Sequence, residues 1–212
     1  MASAVRVTGA GGFGERTARL LAADLPDAET FPVTDLPRGF EGSPDAVVVV
    51  AWRPAPSLAE RADELAHRSA TPWLPVIMDG IVVRVGPLVR PPQRPCFLCY
   101  RERQRQHDRQ RAVTAALHTV YDQDPGCGPV GHLPHHARLA AAVAGGALVS
   151  GRTGEVTTMR LDAWGLRTDR VVPTHGCPRC GGSGAQERQE RLRAALTRSP
   201  ASASVAGKAE QP

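Results

Sequence analysis

Apolar runs and amphipathic stretches alternate along this chain in the order strand, helix, strand. Ala46-Val47-Val48-Val49-Val50-Ala51 is unbroken and β-branched, the pattern of a strand covered on both faces of a parallel sheet. Ala4 to Thr8 predicts a shorter strand before it, and Glu15 to Asp24 a helix with Ala18, Leu21, Ala22 and Leu25 at core spacing. Glu29 to Val33 is a weaker strand because Pro32 interrupts it, and Gly39 to Pro44 reads as a loop. After the turn Trp52 to Pro56, Ser57 with Glu60 three residues on suggests a capping box. The helix it opens turns Leu58, Ala62, Leu65 and Ala66 inward and ends before Pro72. Trp73 to Met78 and Ile81 to Gly86 read as a hairpin about Gly80.

The second half repeats the alternation with looser punctuation. Gly86 to Pro95 is extended and proline-rich, and one helix is expected from Cys96 through Gln104 into Ala112 to Val120, its charged first half a solvated face. Asp122 to Pro134 is a Gly/Pro loop, Ala137 to Val149 an apolar helix in which Gly145 and Gly146 permit close packing, and Val156 to Asp162 and Gly165 to Val172 a strand pair. Two units follow: residues 1–184 as an α/β Rossmann-like domain, and residues 185–212 as a charged helix with a low-complexity, disordered tail.

Composition changes this picture in two ways. The net charge of +5 is spread along the chain, and 4 Phe, 3 Trp and 2 Tyr give little for bases to stack on, so a nucleic-acid partner is not expected. Arginine supplies every basic residue except Lys208 in the tail, which leaves the folded part without lysine. With neither a long apolar span nor a signal peptide, no membrane is expected and the compartment reads as cytoplasmic.

In a reducing compartment the spacing of the cysteines acquires meaning. Cys96-Phe97-Leu98-Cys99 and Cys177-Pro178-Arg179-Cys180-Gly181 are two Cys-x-x-Cys hooks, four thiolates in all, the number a tetrahedral structural zinc takes. Proline and glycine in the second hook suit a tight knuckle whose N–H groups face the sulfurs. A shared zinc clip accounts for both hooks; disulfides or idle pairs are the alternative. Pinning the segment 100–176 would remove roughly 4 kcal/mol of denatured-state freedom. Cys127 remains as an odd thiol. With His132, His135 and His136 it forms a cluster that reads as a nucleophile and base, a second metal site, or a plain surface loop.

Gly9-Ala10-Gly11-Gly12-Phe13-Gly14 between the first strand and helix is a G-x-G-x-x-G turn. Gly9, Gly11 and Gly14 are its candidate nucleotide-binding residues, and a purely architectural turn is the alternative. The acid expected after the second strand is missing apart from Asp35, so ATP binding is doubtful.

This succession resembles the ThiF/ubiquitin-activating-enzyme-like superfamily, and within it the cyclodehydratase-associated (precursor leader-peptide-binding, or bacteriocin-biosynthesis cyclodehydratase) proteins that work beside YcaO enzymes. The carrying residues are Val7 to Gly14, Pro72-Trp73-Leu74-Pro75-Val76, Val85-Gly86-Pro87-Leu88-Val89, Pro95 to Cys99 and His175 to Gly181. The resemblance implies a ThiF-type sheet with flanking helices, zinc on Cys96, Cys99, Cys177 and Cys180, and YcaO and precursor-peptide partners. It departs from that pattern in lacking an N-terminal winged-helix module, so leader recognition is expected in another chain or surface. It departs again in lacking the lysine and aspartates of adenylating members, so a degenerate nucleotide site is expected.

Three functions are carried forward. The first is a non-catalytic accessory subunit of an ATP-dependent cyclodehydratase complex in ribosomal peptide maturation. The second is an adenylating enzyme acting on a peptide or carrier-protein carboxylate, with Cys127 as acceptor. The third is a zinc-stabilised interaction domain unrelated to peptide maturation. A homodimer is left open.

Overall fold

All six residues of the strand Ala46–Ala51 are buried, and the molecule is layered on either side of it. The computed structural model describes residues 4–163, 165–181 and 190–194. Within them β1 (Val5–Ala10), β2 (Glu29–Thr30), β3 (Ala46–Ala51), β4 (Trp73–Asp79), β5 (Val82–Val85), β6 (Glu155–Arg160) and β7 (Gly165–Arg170) form one sheet in the order β2-β1-β3-β4-β5-β6-β7. The first four run parallel, with Val7 beside Val48 and Val50 beside Val76; β5, β6 and β7 continue antiparallel.

Period-two alternation inside an all-apolar run assigns each residue of β3 to a layer. Val48 and Val50 face a core with Val7, Leu74, Val76, Phe13, Leu21, Ala140 and Ala144, beneath α1 (Gly11–Asp24) and α5 (Pro134–Ser150). Val47 and Val49 face the opposite core with Trp73, Val89, Phe97 and Tyr100. That side is covered by α2 (Pro56–Ser69), by α3 (Phe97–His107) and by a 3₁₀ segment over Val33–Phe40. Each such valine contributes about 1.5–3 kcal/mol by leaving water. Gly145 in α5 leaves room for the Leu21 side chain, 3.6 Å from where a Cβ would stand.

Four details depart from the expected elements. The first helix begins at Gly11, inside the glycine turn. The second strand stops at Thr30, short of the expected Val33, and the 3₁₀ segment runs from Val33 into the start of the expected loop. The capping box at Ser57 does not form: Pro56 is already helical, and the Ser57 N–H and hydroxyl donate to Asp122 (3.3 and 2.7 Å), a carboxylate from α4 (Arg111–Gln123) that takes over the cap. Glu60 instead pairs with Arg101. The long helix after Cys96 is two helices, α3 and α4, because Asp108 leaves helical geometry and accepts from the Gln110 N–H (2.7 Å). Residues 190–194 are helical; the remainder of the expected tail, 185–189 and 195–212, lies outside the described residues.

Candidate metal centre and the crevice at the strand ends

Cys96 is the N-cap of α3 and Cys99 lies in its first turn, so both sulfurs emerge at the positive end of the helix, which favours thiolate. The other hook arrives from β7 as a tight turn closed by the Gly181 N–H donating to the Cys177 carbonyl (2.7 Å). A Cβ at position 181 would run into that carbonyl, so glycine is required there.

The hooks meet. Cys96 Sγ lies 3.8 Å from Cys99 Sγ and 3.5 Å from Cys177 Sγ, and Cys99 Sγ lies 3.4 Å from Cys180 Sγ. All four sulfurs fall within 4.8 Å of one another and all four residues are buried. These separations exceed a disulfide length of about 2.05 Å by far. They approach the edge of a tetrahedron with sulfur about 2.3 Å from its centre, roughly 3.8 Å. The four thiols could therefore hold one metal ion, and the disulfide alternative does not fit.

Local electrostatics divides the thiols. Burial works against the Cys99 thiolate, but the Thr174 hydroxyl (3.3 Å) and N–H (3.4 Å) donate to its sulfur and bring it down to about 7. Burial pushes Cys96 and Cys180 up, so in the metal-free chain those two stay protonated. A bound cation would reverse that preference.

The second hook is anchored from beneath by a residue the sequence did not advertise. Asp63 on α2 is 2% exposed; its carboxylate accepts from Trp73 Nε1 (3.2 Å) and faces Arg179 Nε (3.5 Å), between Cys177 and Cys180, as well as His67 Nδ1 (3.5 Å). One buried carboxylate thus ties α2, β4 and the knuckle together.

The glycine turn is packed from two sides. A Cβ at Gly9 would strike the Gly14 carbonyl, and one at Gly14 would come within 2.7 Å of the Val50 carbonyl, so both serve the approach of α1 to the sheet. Gly11, at φ +69°, lies against the indole of Trp52, which stands at the end of β3. Beside it Arg53 is 5% exposed and gives its protons to the carbonyls of Pro54, Tyr121 and Asp124 (3.0, 2.7 and 3.0 Å) while stacking 4.5 Å from the Tyr121 ring. Arg53 thereby pulls the loop 124–133 over the strand ends. His132 meets Phe13 edge-on at 5.6 Å. Asp35 is exposed in the 3₁₀ segment.

His136 Nδ1 accepts from the Leu133 N–H (3.3 Å) and caps α5. Burial, then His135 and His132, lower its pKa, which preserves the neutral acceptor that this cap needs. His132, His135, His136 and Cys127 form no metal-sized cluster among the described residues.

A cavity of about 1010 Å³ opens between α2, α3, α4 and the β4–β5 turn. Its floor is apolar, with Ala59, Ile77, Phe97 and Tyr100. Its rim carries ion pairs, Arg84 with Asp79 (2.9 Å), Arg105 with Glu102 (3.0 Å) and Arg101 with Glu60. An apolar trough with alternating charges at its lip suits an extended peptide segment. Much of the helix face expected to be merely solvated lines it, and residues on both sides of the break between α3 and α4 contribute to its wall.

No family model matches the chain, and no curated protein matches it in sequence. Solved structures do match it in fold. A heterocyclase in complex with substrate and cofactor superposes at TM-score 0.60 and 20% identity over 84% of this chain, and the heterocyclase TruD at 0.63 and 17% over 89%. The E. coli microcin synthetase McbBCD complex superposes at 0.62 and 11% over 82%. The chain shares its fold with these heterocyclase and microcin synthetase chains. The chain spans 25% and 28% of the length of the two heterocyclase chains and 67% of the matched microcin synthetase chain. Among its described residues no helix is long and apolar enough to cross a membrane.

Proposed function

We propose that this chain is a non-catalytic accessory subunit in ribosomal peptide maturation. In this reading it supports a YcaO-type cyclodehydratase in the cytoplasm while that partner forms azolines, or related backbone modifications, in a precursor peptide. The observation that carries the reading is the combination of a ThiF-like fold with a glycine turn lying against Trp52 and a folded body without lysine. Phosphoryl and adenylyl chemistry needs positive charge aimed at the developing pyrophosphate, and Arg53, the buried arginine beside the glycine turn, already gives its protons to backbone carbonyls. Cys96, Cys99, Cys177 and Cys180 hold a structural zinc, which clips the β7 end of the sheet to α3. The cavity between α2, α3 and α4 is the place for a stretch of the precursor peptide.

The competing reading is an adenylating enzyme, favoured by the likeness to E. coli MccB in its complex with AMPCPP and MccA (TM-score 0.56, 14% identity, 85% of this chain and 66% of that one). Gly9, Gly11 and Gly14 would then lie beneath the phosphates. Two assays separate the readings. Adding the chain to a YcaO partner and a candidate precursor peptide should accelerate ATP-dependent loss of water from the peptide. ATP–pyrophosphate exchange by this chain alone with the same peptide should stay at background; peptide-dependent exchange would overturn the accessory reading.

A further inference from the structure

β7 ends the sheet, and all six of its residues are exposed. The ladder with β6 shows which way its backbone groups point. Val171 N–H donates to the Gly154 carbonyl (2.8 Å), continuing the register in which Glu155 faces Arg170 and Thr157 faces Thr168. Residues of an antiparallel strand alternate between bonding inward and pointing away. Val171, Asp169 and Arg167 therefore bond towards β6, and Leu166, Thr168 and Arg170 turn their N–H and C=O groups to the open edge.

We propose that this edge pairs with the same edge of a second copy, antiparallel about a two-fold axis through Thr168, joining two sheets into one. This inference stands apart from the assignment of the chain to peptide maturation. Any register centred on a residue, rather than between two, sets outward-pointing groups opposite one another. Centring on Arg167, Asp169 or Arg170 sets a charge against its own copy, and centring on Leu166 leaves half the strand unpaired. Centring on Thr168 bonds Thr168 to its counterpart and Leu166 to the other copy's Arg170, so every outward donor and acceptor of the strand finds a partner.

Charge selects the same register. Arg167 falls opposite Asp169 of the other copy, in the non-hydrogen-bonded pairing where side chains approach most closely. Within one copy Arg167 already donates to Asp169 (2.9 Å), so the junction becomes an alternating square of two cations and two anions. Leu166, 58% exposed, comes to lie beside the aliphatic stem of the opposite Arg170. Edges that must stay single carry charges that repel a second strand; this one is its own complement.

The test is the mass of the full-length chain by light scattering over a concentration series. The wild type is expected to be a dimer. Thr168→Pro removes an outward N–H and the hydroxyl bond to Thr157 but leaves the backbone bonds to β6 in place, and should weaken the dimer at least tenfold while leaving metal content and the far-ultraviolet circular dichroism spectrum unchanged. Arg167→Asp and Asp169→Arg should each be monomeric, and an equimolar mixture of those two variants should recover the dimer, since each then meets opposite charge. A wild type that stays monomeric, single variants that remain dimeric, or a mixture that does not associate would each overturn the proposal. A monomer whose edge is taken by an added precursor peptide instead, with binding abolished by Thr168→Pro, would overturn it as well.

Discussion

Asp63→Ala removes the residue on which α2, β4 and the second hook converge. The Trp73 ring is fully buried, so its indole N–H would lose its acceptor where water cannot replace it, at a cost of about 1–3 kcal/mol. Arg179 is 31% exposed and regains water when released, so its share is about 1 kcal/mol or less. The expected loss is about 1–4 kcal/mol, which lowers the melting midpoint by about 2–16 °C for a chain of this size. Asp63→Asn keeps an oxygen facing Trp73 and should lose less than about 1.5 kcal/mol.

The two variants also separate hydrogen bonding from charge. Burial raises the Asp63 carboxyl above its ordinary 3.8, and His67 and Arg179 pull it back only in part. An acid with a raised folded value contributes stability that is complete below its ordinary value and lost as pH climbs through the raised one. The stability of the wild type minus that of Asp63→Asn should therefore fall as pH rises above the ordinary carboxylate value of 3.8. Urea unfolding followed by tryptophan fluorescence across that range measures both effects. An Asp63→Ala variant within about 0.5 kcal/mol of wild type would refute the reasoning, as would an Asp63→Asn variant equally damaged.

Other expectations follow from single contacts. Gly181→Ala places a methyl against the Cys177 carbonyl and should cost the protein its metal, read by elemental analysis, while thiol titration finds more reactive cysteines. Gly11→Ala combines a left-handed backbone with a clash against Trp52 and should destabilise by about 1–3 kcal/mol in thermal melts. Arg53→Met should free the loop 124–133 from the strand ends, seen as faster amide exchange of that loop with β3 still protected. Removing the metal with a chelator should lower stability by about 4 kcal/mol or more, because the segment between the hooks is no longer pinned.

The sheet was legible where the pattern of side chains admits one physical answer. Six consecutive apolar residues at 46–51, four of them β-branched and flanked by turn residues, read as a strand covered twice, and β3 has those bounds. The hooks were legible because Cys-x-x-Cys has local geometry: Cys96 and Cys99 share a helical turn, and Cys177 and Cys180 share a knuckle. What escaped depends on residues distant in sequence. Ser57 and Glu60 spell a capping box, yet Asp122 and Arg101 claim them from across the fold. Asp63 reads as one more acid on a helix until Trp73 and Arg179 close over it. Asp108 reads as helical until the Gln110 N–H turns back on it and splits α3 from α4, opening the cavity. Thr174 lies three residues before a hook, and only the tertiary approach of α3 brings its donors to Cys99.

The central claim is that four cysteines from two distant hooks share one structural ion. Elemental analysis of the intact protein, purified without chelator, tests it directly. One zinc per chain is predicted, with Cys177→Ser and Cys180→Ser together abolishing it. Protein that carries no zinc, or that keeps its full complement after the second hook is removed, contradicts the account.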